Sequence, residues 1–253
     1  MNQKKSKHKI PLLPLIAVLV ILLAIVAVVA MELTGTDVPN VTEPTQTTTV
    51  PVETVVNTPA VIQPAEDAQD LGEDLKLHSF GSYAGMYMED GTDEVLSNIA
   101  MAILTNEGEQ DLQYAQITVT YADEVCAYTV TNLPAGASVV LLEQERKALP
   151  AGDPVSTQME NVVFFQTPMD AQSGIFEISG MDGVMNVKNI SGTDIAGDIY
   201  VYYKYSAADL YYGGITFRIR IQGGLGAGQI HQSITSHFDP SRCTIVDIVC
   251  VGA

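Results

Sequence analysis

The sequence predicts an all-β protein: two β-sandwiches in tandem, behind one N-terminal transmembrane helix and a disordered linker. Three observations carry this. A single uninterrupted apolar run lies near the N-terminus. A Thr/Pro-rich stretch without aromatic residues follows it. Beyond that, short alternating or β-branched runs are punctuated by Gly, Asn, Asp and Pro, and no long segment keeps a helical period. The parts divide as residues 1–9, a basic cytoplasmic tail; 10–31, the transmembrane helix; 32–76, the spacer; 77–168, the first sandwich; and 169–253, the second.

The apolar run comes first. Residues 12–30 hold 19 positions with no charged or polar side chain. As a helix they span roughly 28 Å, close to the hydrocarbon thickness of a bilayer. Pro11 and Pro14 stand at its start, where a helix tolerates proline best. Lys4, Lys5, Lys7 and Lys9 precede it. The positive-inside rule therefore keeps the tail in the cytoplasm and sends the rest across a single-pass anchor in the cell membrane. The alternative is a cleaved signal peptide ending at Val28-Val29-Ala30, against which the length of the run argues.

All 30 acidic residues lie after the run, against eight of the 12 basic ones, a net charge of −22. Such a surface repels nucleic acid, which is excluded as a partner. The charge serves solubility, or it forms a field for cations or basic partners.

Residues 34–70 contain no aromatic residue, lysine or arginine. Thr, Pro, Val and acid there cannot bury a core and favour extended conformations reaching roughly 115 Å. This reads as a stalk or a passive linker. Asn40-Val41-Thr42 fits an N-glycosylation acceptor, if the organism has the machinery.

The strand candidates are NIAMAILT (98–105), YAQITVTY (114–121), SVVLLEQ (138–144), ENVVFFQT (160–167), GIFEIS (174–179) and CTIVDIVCV (243–251). The two halves also echo each other. ILTNEGEQDLQYAQITVTY (103–121) aligns with VKNISGTDIAGDIYVYYKY (187–205), matching Asn106 to Asn189, Asp111 to Asp194 and Leu112 to Ile195. LPAGASVVL (133–141) then aligns with LGAGQIHQS (225–233). The order is kept, which reads as a tandem duplication with its boundary near residues 167–174.

The succession of strand, Asn turn, Tyr-bearing strand and L-P-A-G-x-S before another strand resembles the FxLYD and related immunoglobulin-like domains of bacterial envelope proteins. The resemblance covers residues 80–250. The F-x-L-Y-D signature itself is absent; DLQY (111–114) and DLYY (209–212) are reminiscent of it. The resemblance implies tandem extracytoplasmic immunoglobulin-like β-sandwiches and carries over no catalytic residue.

One segment stands out chemically. Residues 197–224 hold six of the eleven tyrosines and two of the four arginines. Alternation places Ile199, Val201, Tyr203 and Tyr205 on one strand face and Tyr200, Tyr202 and Lys204 on the other. The next strand turns Ile215, Phe217, Ile219 and Ile221 inward and Thr216, Arg218, Arg220 and Gln222 outward. If the two pair, Tyr200, Tyr202, Lys204, Arg218 and Arg220 gather on one outer face. Tyr and Arg are the residue types enriched at binding hot spots, so this is the candidate surface for a protein or glycan. Cross-strand Tyr–Arg stabilisation of a solvated sheet, or packing between the two halves, would select the same residues.

Other chemistry is thin. His231 and His237 would be roughly 20 Å apart on one straight strand, and with Asp239 form no tight ligand set. QGGLGAGQ (222–229) lacks the Lys-Ser or Lys-Thr of a phosphate loop and reads as a hairpin loop. MEDGTDE (88–94) and SGTDIAGD (191–198) are acidic turns without an EF-hand pattern. No G-x-S-x-G nucleophile signature occurs. Cys243 and Cys250, seven apart, should face opposite sides of a strand; with Cys126 they suggest buried thiols. The sequence thus points to a non-enzymatic surface protein with no cofactor, for binding or envelope architecture. An accessory subunit of a membrane or secretion complex, and a hydrolase with a scattered site, are the alternatives.

Overall fold

The computed structural model describes residues 68–252. The expected cytoplasmic tail, transmembrane helix and most of the spacer lie outside the described residues. Among those described there is no helix. The first half contains β1 (Gln69–Asp70), β2 (Leu75–Tyr87), β3 (Glu94–Asn106), β4 (Leu112–Thr120), β5 (Val125–Leu133), β6 (Ser138–Leu142) and β7 (Ser156–Phe164). The second contains β8 (Phe176–Met181), β9 (Val184–Asn189), β10 (Asp198–Ala207), β11 (Leu210–Ile221), β12 (Ile230–Ile234) and β13 (Cys243–Val251).

Strand structure is present earlier than expected. β1 and the start of β2 fall inside the span 32–76 assigned to the spacer. The composition of that span masks Leu75, which is fully buried, as is Leu77 just beyond it. Removing two such leucines from water stabilises the fold by about 1.5–3 kcal/mol each.

The strands make three sheets: β1-β2-β3-β6-β11-β10-β13, β5-β4-β7 and β12-β9-β8. One pattern occurs twice. In the first half β2-β3-β6 neighbour one another and β5-β4-β7 form the facing sheet; in the second, β8-β9-β12 and β11-β10-β13 repeat that order. The two halves then share a sheet. β6 pairs with β11 in parallel through Ser138–Leu210, Val139–Tyr211 and Val140–Tyr212, while every other neighbouring pair in the large sheet is antiparallel.

Strand alternation supplies the cores. Ala100, Ala102, Leu104, Val139 and Leu141 face β4 and β5 residues such as Ile117, Val119, Tyr128 and Val130. Ile199, Val201, Tyr203, Ile219 and Ile221 pack on Phe176, Met185 and Val187. The remaining face of β2, β3 and β6 joins Tyr205 and Tyr212 in a third cluster, with Tyr83, Tyr87, Ile103 and Leu142.

Two fully buried asparagines carry the same set of bonds, one in each half. Asn106 Nδ2 donates to the carbonyls of Gln110 (2.9 Å) and Leu133 (3.3 Å); Asn189 Nδ2 donates to those of Thr193 (2.7 Å) and Leu225 (2.9 Å). Each Oδ1 accepts from the N–H two residues on, Gly108 or Ser191. The N–H groups of Gly136 and Gly228 donate to the two asparagine carbonyls. Asp111 accepts from Ala135 N–H and Asp194 from Ala227 N–H, both at 2.8 Å. A buried amide is tolerated because its donors and acceptor all find partners.

Two details differ from expectation. QGGLGAGQ is no hairpin loop: β11 lies in the large sheet and β12 in the small one, so this segment crosses between sheets, pinned by Asn189 and Asp194. Cys243 and Cys250 share a face. A bulge at Val246 takes the partner of Tyr202 to Asp247 and that of Tyr203 to Ile245, so the odd spacing no longer inverts the side. Both pack on the second core, and the three cysteines are free thiols.

Candidate functional site

The tyrosine-rich segment forms the antiparallel pair β10–β11. Tyr200 stands opposite Arg220 and Tyr202 opposite Arg218. All four point away from the second core, because Ile199, Val201, Ile219 and Ile221 occupy the alternate positions within it. The tyrosines are half-buried and the arginines exposed. Arg218 lies 5.1 Å from the ring centroid of Tyr200 and 6.0 Å from that of Tyr202; Arg220 lies 6.0 Å from that of Tyr200. The result is a ladder of alternating rings and guanidinium groups.

The two arginines differ. Arg220 donates through Nε (2.9 Å) and Nη2 (2.5 Å) to Asp198 Oδ2. Asp198 also accepts from Gly223 N–H at 2.9 Å, and that bond first, then Arg220, holds its carboxyl below the usual value. Arg218 makes no ion pair among the described residues. Its donors remain available, and its stacking on two rings fixes its direction. On β13, Val249 pairs with Tyr200 and adds an exposed aliphatic neighbour that a search for aromatic and basic residues misses.

Lys204 does not join this surface. It keeps the expected side of β10 but is fully buried. The edge strand β5 of the first half crosses that end of the face. Lys204 Nζ donates to the carbonyls of Thr131 (3.0 Å), Gly214 (3.0 Å) and Ile215 (2.7 Å). Three acceptors match the three N–H bonds of an ammonium. Thr131 Oγ1 also donates to Gly214 O at 3.1 Å. A Cβ on Gly214 would meet Thr129 O at 1.7 Å, so only glycine lets the two backbones approach this closely.

Glu89 completes the joint. Its Oε1 accepts from Gly214 N–H at 2.7 Å and from Leu142 N–H at 3.4 Å. Burial pushes its carboxyl up, and the same burial, outweighing the pull of Glu89, pushes the Lys204 amine down to about 7. Alternation names the side a residue takes; which side another part of the chain covers is a tertiary matter, and Lys204 marks that boundary.

The remaining candidates serve structure. His237 Nδ1 lies 2.7 Å from Asp93 Oδ2 across the two halves and stacks on Phe217 with ring centroids 4.5 Å apart. His231 sits on β12 and Asp239 bonds Ser241, so the three residues do not converge. No group of three His, Cys, Asp or Glu that could hold a metal occurs among the described residues. In MEDGTDE, Asp90 accepts from Thr92 and pairs with Arg146, which also bonds Glu94 at 2.8 Å. No family model, curated protein or solved structure matches the chain.

Proposed function

We propose that this chain is a membrane-anchored, extracytoplasmic surface protein without enzymatic activity. In this reading two tandem immunoglobulin-like β-sandwiches, related to FxLYD-like envelope domains, present a recognition face to a protein or glycan. The anchor rests on the apolar run of residues 10–31 and the lysines before it. The tandem reading is supported by the repeated strand order and by the matched bonds of Asn106 and Asn189.

One observation carries the recognition face. Arg218, unpaired by any carboxylate among the described residues, is held over Tyr200 and Tyr202 on an open sheet surface. Rigid aromatic area beside an uncommitted guanidinium suits a partner that offers an acceptor and an apolar or sugar face. Lys204 is left out of this face and assigned to the joint.

The test is binding of the full-length chain to envelope extract and to a glycan array. A variant with Tyr200, Tyr202, Arg218 and Arg220 changed to serine is run beside it, with circular dichroism confirming its fold. The reading expects a ligand that the folded variant loses. Equal capture by both proteins would remove the ladder from recognition.

A further inference from the structure

A cavity of about 120 Å³ lies on the opposite side of the sheet from the Tyr–Arg ladder. Its walls come from both halves: Tyr83, Met86 and Val95 from β2 and β3, Tyr205 and Tyr212 from β10 and β11, and Arg242 just before β13. Tyr83, Tyr205 and Tyr212 are buried members of the third core cluster, so the floor of the cavity is fixed packing. Tyr83 is further held by its hydroxyl, which donates to Met86 O at 2.9 Å. Small-molecule sites are concave, mainly apolar, frequent where two bodies meet, and carry a few convergent polar groups.

Size and charge select the ligand. An apolar cavity of about 150 Å³ encloses one benzene ring, so this one, smaller and open to solvent on one side, takes no more than a single ring, with its substituent at the mouth. Arg242 is the one charged residue lining it. Its guanidinium lies 5.6 Å from the Tyr205 ring centroid, already facing the π-system that a cationic ligand would need. Asp239 approaches the guanidinium through Nε at 3.4 Å, a long ion pair that leaves the planar fork able to take a carboxylate. Ser206, also in the wall, has its hydroxyl engaged with Thr244 Oγ1 at 2.6 Å.

We propose that this cavity binds a small carboxylic acid bearing one aromatic ring, with the ring among the three tyrosines and the carboxylate on Arg242. The proposal is independent of the ladder.

The probes are phenylacetate, benzyl alcohol and benzylamine, titrated by calorimetry and ligand-observed NMR into the full-length chain. Phenylacetate is expected to bind one per chain with a Kd on the order of 1 mM. Benzyl alcohol should bind about tenfold more weakly, the worth of a charge-assisted hydrogen bond, and benzylamine not measurably. Arg242→Gln should bring phenylacetate down to the benzyl alcohol level. Ala207→Phe, which fills the cavity from its exposed wall, should abolish binding of both. If that variant misfolds by circular dichroism, Ala84→Phe on another exposed stretch of wall replaces it. Absence of phenylacetate binding, equal binding by the filled variant, or an unchanged preference in Arg242→Gln would each overturn the proposal.

Discussion

Arg218 and Lys204 are two cations on one face of one β-sheet, and they have opposite fates. Arg218 lies open above two tyrosines. Lys204 is sealed beneath β5, its ammonium spent on three backbone carbonyls. The difference lies in what crosses the face. Over Arg218 nothing among the described residues does. Over Lys204, β5 comes so close that Gly214 cannot carry a side chain. A charge that is solvated costs the fold little, whereas a buried one must be paired or bonded throughout. One end of the face is therefore free to meet a partner, and the other is committed to joining the halves.

The sharpest way to break this contrast is at Lys204. Lys204→Met takes the ammonium from three carbonyls and a positive charge from the neighbourhood of buried Glu89, and should cost about 3–5 kcal/mol in denaturant unfolding. Adding Glu89→Gln should cost less than the two single changes summed, because one interaction is being removed twice. Additive losses would separate Glu89 from the joint. Gly214→Ala comes next. Its methyl group must displace β5, and the expected loss is about 3 kcal/mol, with Arg218 and its rings undisturbed.

The repeated corners sharpen the comparison between halves. Asn106→Ala and Asn189→Ala should each cost about 1–3 kcal/mol, and by similar amounts, since each strands the same carbonyls and N–H group. A large loss at one and none at the other would break the equivalence.

The pH dependence of the joint has a definite sign. The folded chain holds Lys204 at about 7, below its ordinary lysine value, so it binds fewer protons there than the unfolded chain does. This group's contribution to stability therefore rises as pH climbs from about 7 toward the ordinary lysine range, and Lys204→Met should flatten that rise. At the small end, Arg218→Ser should change stability by about 0.5 kcal/mol, the scale of exposed cation–π contacts and surface substitutions, while removing the uncommitted donor of the ladder.

Much of this was legible in the residues. Alternation along 199–203 and 217–221 placed the core-facing residues and the four ladder residues, whereas Ile215, expected inward, joins no buried cluster beyond the register shift at Tyr203–Tyr205; CTIVDIVCV matches β13 from end to end. Asn106 aligns with Asn189, and Asp111 with Asp194, because the buried amide and the capped turn found in each half call for those residue types. Three things were hidden for a shared reason: each depends on contacts distant in sequence. Lys204 is buried by a strand more than seventy residues away. The bulge at Val246 that turns both cysteines to one side is a matter of pairing with β10. The cavity needs β2 and β10 in one sheet, which the parallel β6–β11 contact brings about.

The most direct measurement is calorimetric unfolding of the full-length chain beside Lys204→Met and Arg218→Ser. A shared sheet with a sealed joint predicts one cooperative transition for the residues from β1 to β13. It predicts that Lys204→Met lowers that whole transition by on the order of 10 °C, while Arg218→Ser leaves it within about 2 °C. Two separate transitions, with Lys204→Met moving one of them alone, or equal shifts for the two variants, would contradict the division of this face into a joint and an open surface.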